Sequence, residues 1–231
     1  MPTFQHPLAT GLAEGALALG LSLLPDQSAR LLAYADLIEK WNKVYNLTAV
    51  RNPHDMVTHH LLDSLAVIAP LRRQLAAMAY HHDGADELHP AGPLFRLLDV
   101  GSGAGLPGIV IAICCPEVSV DCVDTVAKKA AFINQVAVAL KLPNLRSIHA
   151  RVENLTDKYD VICSRAFASL PDFTAWSAGA LKAGGVWLAM KGQHPQPEID
   201  ALPAQVRVFH VEQLTVPGLD AQRCIVWMRW A

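Results

Sequence analysis

Seven residues in this chain have types and spacings that suggest chemistry: Gly101, Gly103, Gly105, Asp124, Glu153, Arg165 and, just before the glycines, Asp99. Glycines at alternate positions let backbone pass close to a ligand with no Cβ in the way. A carboxylate about twenty residues later, at the end of a following strand, can take both hydroxyls of a ribose. A guanidinium is a fork of donors that stays charged, suited to holding a planar acceptor or an anion. Together they describe a cradle for an adenosine-containing cofactor.

Elements must exist to hold them. Arg96-Leu97-Leu98-Asp99-Val100 reads as a buried strand that breaks into Gly101-Ser102-Gly103-Ala104-Gly105. Leu106 to Cys115 reads as a helix with Pro107 in its first turn, where a missing N–H costs nothing. The start of that helix would offer free donors and a partial positive charge. Val118 to Val123 reads as a second strand, with Asp124 at its end. The glycines alone leave the cofactor open. Gly101-x-Gly103-x-Gly105 suits S-adenosylmethionine enzymes, and Gly103-x-Gly105-x-x-Gly108 also fits the dinucleotide fingerprint.

Further along, Leu145–Ala150, Asp160–Ser164 and Val186–Met190 read as strands, with helices over 126–140 and 171–181 between them. Strand–helix alternation predicts a parallel sheet. Val206–Thr215 and Arg223–Trp230 are strand-like with no helix between, so they predict an antiparallel hairpin. A hairpin closing a parallel sheet is a habit of class I methyltransferases and favours S-adenosylmethionine over NAD. The fold class expected is therefore α/β, a Rossmann-like class I methyltransferase sheet.

Before the first strand the pattern is helical. A segment over 8–24 is weakened by Gly11, Gly15 and Gly20, Ser28–Tyr45 is a better helix stopped by Asn46, and another starts at Asn52-Pro53 with the stripe Val57, Leu61, Leu65, Ile68. His60 and Asp63, three apart, share one side of it. They read equally as a lip over a ligand or as a surface hydrogen bond, and two ligands are too few for a metal. Residues 81–93 are polar and broken by Gly and Pro, which reads as a connector. The division expected is a helical cap with connector over 1–93 and a Rossmann-like core over 94–231.

The 231 residues carry a formal net charge of -2, so nothing global suggests a nucleic-acid binder. An RNA contact would need a local patch, for which Lys43, Arg51, Lys128, Lys129, Arg146, Arg151 and Lys191 are candidates. The five cysteines form no C-x-x-C pair and read as buried thiols of a reducing compartment. With no signal peptide and no membrane span, a cytoplasmic protein is expected.

The candidate residues converge at the strand ends. After the fourth strand stands Ser164-Arg165-Ala166-Phe167, not the Pro-Pro-aromatic motif of amino-group methyltransferases, and Cys163 lies inside the strand, a poor place for a nucleophilic thiol. A nucleophile needing little activation, such as guanine N7, fits what remains. Arg165 is the candidate catalytic residue, placing the cofactor's methionine end or donating to the base; the alternative is a structural ion pair. Phe167 reads as a stacking platform or as core. No Tyr-x-x-x-Lys constellation supports an NAD(P)-dependent oxidoreductase; a non-catalytic RNA-binding assembly factor on the same fold stays open.

Trp41-Asn42-Lys43-x-x-Asn46-Leu47-Thr48, His60-x-x-Asp63-Ser64, Asp99 to Gly108, Arg151-Val152-Glu153, Ser164-Arg165-Ala166 and Lys191-Gly192 occur in that order. In this set the chain resembles the bacterial small-subunit (16S) ribosomal RNA guanine-N7 methyltransferase family (RsmG, also called GidB). The resemblance implies methylation, with S-adenosyl-L-methionine as cofactor, of a guanosine in the decoding-region loop of 16S rRNA, within the small ribosomal subunit or an assembly intermediate. It implies cofactor contacts at Gly101, Leu106, Val152, Glu153 and Arg165, beside Gly103, Gly105 and Asp124 from the motif itself. A monomer without a metal is expected.

Overall fold

The computed structural model describes residues 6–50, 52–82 and 95–231. Helix α1 (Ala9–Ala18) forms despite its glycines because packing overrides propensity. The space a side chain on Gly15 would need is filled by Leu62. Helix α2 (Pro25–Tyr45) begins three residues earlier than Ser28, on a proline whose fixed φ suits a first turn. The Gln27 side chain accepts the Leu24 N–H at 3.0 Å, and Asn46 ends the helix in a left-handed conformation with φ +49°.

The single helix expected from Asn52-Pro53 is instead a series. Helix α3 (Pro53–Met56) runs into a π-helical turn (Val57–Leu62), then α4 (Asp63–Leu65), a break, and α5 (Ile68–His82). The apolar stripe is correct in content, with Val57, Leu61, Leu65 and Ile68 all buried. The wider π turn carries His60 inward as well, and π segments recur where a side chain is held for function. The predicted connector falls, from residue 83 on, outside the described residues.

Strands β1 (Phe95–Val100), β2 (Val118–Asp124), β3 (Leu145–His149), β4 (Tyr159–Arg165), β5 (Leu181–Lys191), β6 (Val206–Leu214) and β7 (Arg223–Trp230) form one sheet among the described residues. Its order is β3-β2-β1-β4-β5-β7-β6. The first five are parallel, and β7 runs antiparallel to both β5 and β6, as the closing hairpin predicts. Helices α6 (Gly108–Cys114), α7 (Ala127–Ala139), α8 (Leu170–Ser177) and α9 (Gln196–Asp200) complete the chain.

The sheet is covered on both faces, which is why β1 and β4 are almost wholly buried. One hydrophobic cluster joins Leu12, Leu31 and Ile38 of the N-terminal helices to Leu61, Leu71, Ile109, Val120 and Ile225. A second packs Leu98, Ile162, Trp187 and Met228 against Phe173 of α8. The order reverses at β1, between β2 and β4, and crevices at such a switch point open beyond the strands' carboxyl ends. The opposite end is tied by charge. Arg146 bonds Asp121 at 2.6 Å and Asp157 at 2.6 Å, and Arg96 joins them. Arg146 is thus removed from the predicted RNA patch: two carboxylates hold it at the far end of the sheet and raise its pKa further above the usual guanidinium range.

Candidate active site

The glycine turn has the backbone its sequence implies. Gly101, Gly103 and Gly105 have φ of +66°, +59° and +88°, a region costly for any residue with a Cβ. Its donors are not free, however. Gly101 N–H and Ser102 N–H bond the Val123 carbonyl, and Gly105 and Leu106 N–H bond the Ser102 carbonyl. The helix behind begins at Gly108, not Leu106, with Pro107 preceding it. Gly108 N–H goes to Asp99 Oδ2 at 2.9 Å, and Ile109 N–H to the Gly105 carbonyl at 2.8 Å. The expectation of an open helix N-terminus is corrected: the Gly101, Ser102, Gly103, Gly105, Leu106 and Gly108 N–H groups are all bonded within the protein.

Asp124 ends β2, nearly buried at 6% exposure. Its Oδ2 accepts the Gly103 N–H at 3.0 Å and its Oδ1 the Val126 N–H at 2.8 Å. The carboxylate is pinned by two amides, yet two oxygens can accept about four bonds, which leaves capacity for hydroxyls. Lys129 Nζ stands 3.7 Å away.

A cavity of about 430 Å³ opens beside this carboxylate, lined by Val100, Gly101, Asp124, Arg151, Val152, Glu153 and the aromatic pair Phe167 and Trp176. Val152 is buried and Glu153 exposed, both on a 3₁₀ turn (Val152–Asn154) after β3. Phe167 stands edge-on to Trp176 with centroids 5.8 Å apart and to Phe173 at 6.4 Å. It is a wall of this cavity held by core packing.

A second cavity of about 640 Å³ abuts the first, and the two share Gly101, Lys129 and Ala166. Its lining includes Thr48, His60, Asp63, Leu106, Arg165, Lys191 and Arg223. Leu106 therefore belongs to this cavity. Gly105 lines neither; the place of its missing side chain is taken by Ile109, so it serves helix packing. Ala166, at the join, holds φ +51°, a strained value for alanine.

Arg165 closes β4. Its Nη1 donates to Asp63 Oδ2 at 2.7 Å and to the His59 carbonyl at 3.0 Å. Asp63 Oδ1 accepts from Arg223 Nε at 2.9 Å, so one buried carboxylate carries two guanidiniums. The ion pair and the cavity position thus coexist at Arg165. Asp63 was visible in His60-x-x-Asp63; nothing marked Arg223, which reaches the site only because the hairpin brings the start of β7 beside the end of β5.

His60 Nε2 lies 2.7 Å from Thr48 Oγ1, while its Nδ1 is buried without a partner among the described residues. Burial, reinforced by Arg165, lowers its pKa to about 4, so the ring is neutral. Asp99 is fully buried, and burial raises its pKa to about 7 despite the Gly108 bond and the Arg165 charge. Burial likewise pushes the Cys163 thiol well above its usual range. That thiol is no nucleophile.

Of the remaining basic candidates, Lys129 and Lys191 line the second cavity and Arg151 the first. Lys191 bonds Glu198 at 2.7 Å and the Ala168 carbonyl, Lys43 pairs with Glu39, Lys128 and Arg151 are exposed, and Arg51 lies outside the described residues. Trp41 packs edge-on to Phe132 at 5.3 Å, as a core residue would. Among the described residues no three His, Cys, Asp or Glu could hold a metal, and no helix is long and apolar enough to cross a membrane.

A family model described as rRNA small subunit methyltransferase G matches residues 27–226. The chain belongs to this family. Proteins named ribosomal RNA small subunit methyltransferase G are similar throughout: one from Paracidovorax citrulli is 62% identical over 99% of this chain and 93% of its own. One from Polaromonas sp. is 64% identical over 94% and 92%. Among solved structures, TrmN from Thermus thermophilus aligns with TM-score 0.54 at 20% identity over 73% of this chain and 49% of that one. A 16S rRNA (adenine(1408)-N(1))-methyltransferase variant from Catenulisporales acidiphilia aligns with TM-score 0.51 at 17% identity, over 61% and 87%. These two share the fold. Family membership sets aside the oxidoreductase reading of the glycine turn.

Proposed function

We propose that this member of the family transfers a methyl group from S-adenosyl-L-methionine to N7 of a guanosine in the decoding-region loop of 16S rRNA. The observation that carries the reading is the pair of abutting cavities joined at Gly101 and Ala166. One fits an adenosyl group, with carboxylates for hydroxyls and aromatic walls for a ring. The other, ringed by cations, fits an incoming nucleotide. The residues fit the cofactor: a side chain at Gly101 would push the Phe167 ring out of the cavity wall, and the Asp124 oxygens have acceptor capacity left.

In this reading Asp124 holds the ribose, Val152 and Glu153 border the adenine, and Gly101 and Gly103 leave room for the methionine portion beside Leu106 and Arg165. When bound, S-adenosyl-L-methionine supplies an electrophilic sulfonium methyl. Guanine N7 carries a free lone pair, so the chain's residues need to orient and desolvate rather than remove a proton. The neutral His60 and the inert Cys163 accord with that. N7 lies on the Hoogsteen edge, which an RNA helix hides in its deep major groove, so the target belongs in a loop.

The division into a cap over 1–93 and a core over 94–231 is part of the proposal, because the cap delivers Thr48, His60 and Asp63 to the second cavity. A monomer acting in the cytoplasm on small ribosomal subunits or their assembly intermediates completes it. Calorimetry with the two cofactors tests the reading. S-adenosyl-L-methionine binds and NAD does not, and Asp124→Ala weakens binding roughly 10- to 150-fold, the range of a charge-assisted hydrogen bond. Tighter binding of NAD, or no loss in Asp124→Ala, overturns it.

A further inference from the structure

Arg223 touches the second cavity from the hairpin, an element outside the cofactor cradle. Its Nε is spent on Asp63 and its Nη1 on the Gln222 carbonyl, while Nη2 has no partner among the described residues. The side chain keeps 24% exposure although its partner Asp63 is at 4%. The guanidinium is thus fixed by a buried carboxylate and presents a remaining edge outward.

The charges of the cavity do not balance. Lys129, Arg165, Lys191 and Arg223 line it against the single carboxylate of Asp63. Asp124 offsets Lys129 and Glu198 offsets Lys191. Asp63 offsets only one of the two arginines it holds. One positive charge is left over in a half-enclosed space. A sulfonium cofactor adds another, because its amino-acid end is a zwitterion with no net charge. A site that gathers this much positive charge wants an anion, and a nucleic-acid acceptor brings one in each phosphate.

We infer that Arg223 anchors a phosphate next to the target nucleotide, and that Asp63 is the positioning residue that aims it while holding Arg165 toward the reacting centre. The inference rests on the RNA-methylation reading above and specifies how that site engages its substrate. A fixed guanidinium grips a phosphate bidentately, which sets register as well as affinity. Arg165, deeper in the same cavity, is left for the cofactor or the base.

The test measures methyl transfer to small ribosomal subunits lacking the modification, together with cofactor affinity by calorimetry, in wild type, Arg223→Gln and Arg223→Lys. In Arg223→Gln, KM for the particle rises about tenfold or more, kcat falls less, and cofactor affinity stays within about twofold. The slope of log affinity against log salt is reduced by about one, the signature of one lost phosphate contact. Arg223→Lys recovers part of the KM and the whole salt slope, which separates a phosphate contact from a merely structural role. Unchanged KM and salt slope in Arg223→Gln, or a cofactor affinity that falls as far as the particle affinity, overturns the inference. If instead wild type transfers no methyl to the particle, the functional reading has failed, and Arg223 falls with it.

Discussion

The ring of Phe167 occupies the volume that a side chain on residue 101 would need. The close approach couples the first turn of the cradle to the segment after β4, and it explains why residue 101 is glycine on two separate grounds. One is the contact, the other its φ of +66°.

Gly101→Ala meets both at once. Forced left-handed backbone costs about 1–2 kcal/mol, and Phe167 must also leave the cavity wall. We expect cofactor binding at least tenfold weaker and a melting temperature lower by several degrees. Gly179→Ala is the control, since its added carbon meets nothing within 4 Å and its φ is ordinary. Equal cofactor affinity in the two variants would contradict the account of the turn.

Arg165→Lys keeps the charge and loses the fork. A lysine reaching Asp63 cannot also hold the His59 carbonyl and present a planar edge to the cavity. Methyl transfer should fall on the order of 100-fold, as expected for a misplaced reacting group. Stability should change by about 1 kcal/mol, the worth of one hydrogen bond. Full activity in the stable variant would remove Arg165 from the active site.

Two buried groups pull stability in opposite directions with pH. His60 titrates at about 4 when folded, below its unfolded value, so the unfolded chain binds the extra proton and stability rises as pH rises from 4 to about 6.5. Asp99 titrates at about 7, above its unfolded value, so the folded chain keeps the proton and stability falls as pH rises from about 4 to 7. The slopes, each at most about 1.4 kcal/mol per pH unit, largely cancel. Asp99→Asn should expose the rising slope between pH 4 and 6.5 and His60→Gln the falling one, read by urea unfolding. Parallel pH profiles in wild type and both variants would contradict these placements.

The sheet and the cradle were legible because their signals are local: apolar runs, glycines at alternate positions, an acid at the end of β2. The hairpin was legible from the missing helix between 206–214 and 223–230. What escaped depends on distance in the chain. The fate of the turn's donors could not be read, because Asp99 turns back to Gly108 inside the core. Arg146 looked like any surface cation until β3 set it beside Asp121. Arg223 is 160 residues from the carboxylate that fixes it. The π turn was hidden by a stripe that reads as α, and no local feature distinguishes the two.

The most direct test of the central claim is the identity of the methylated atom. Small ribosomal subunits from cells lacking this protein are incubated with it and methyl-labelled S-adenosyl-L-methionine, and the rRNA is then treated with borohydride and aniline. The account predicts label in 16S rRNA and one new cleavage in the decoding-region loop, as N7-methylguanosine gives. Label that yields no cleavage, or cleavage only within a helix, would contradict it.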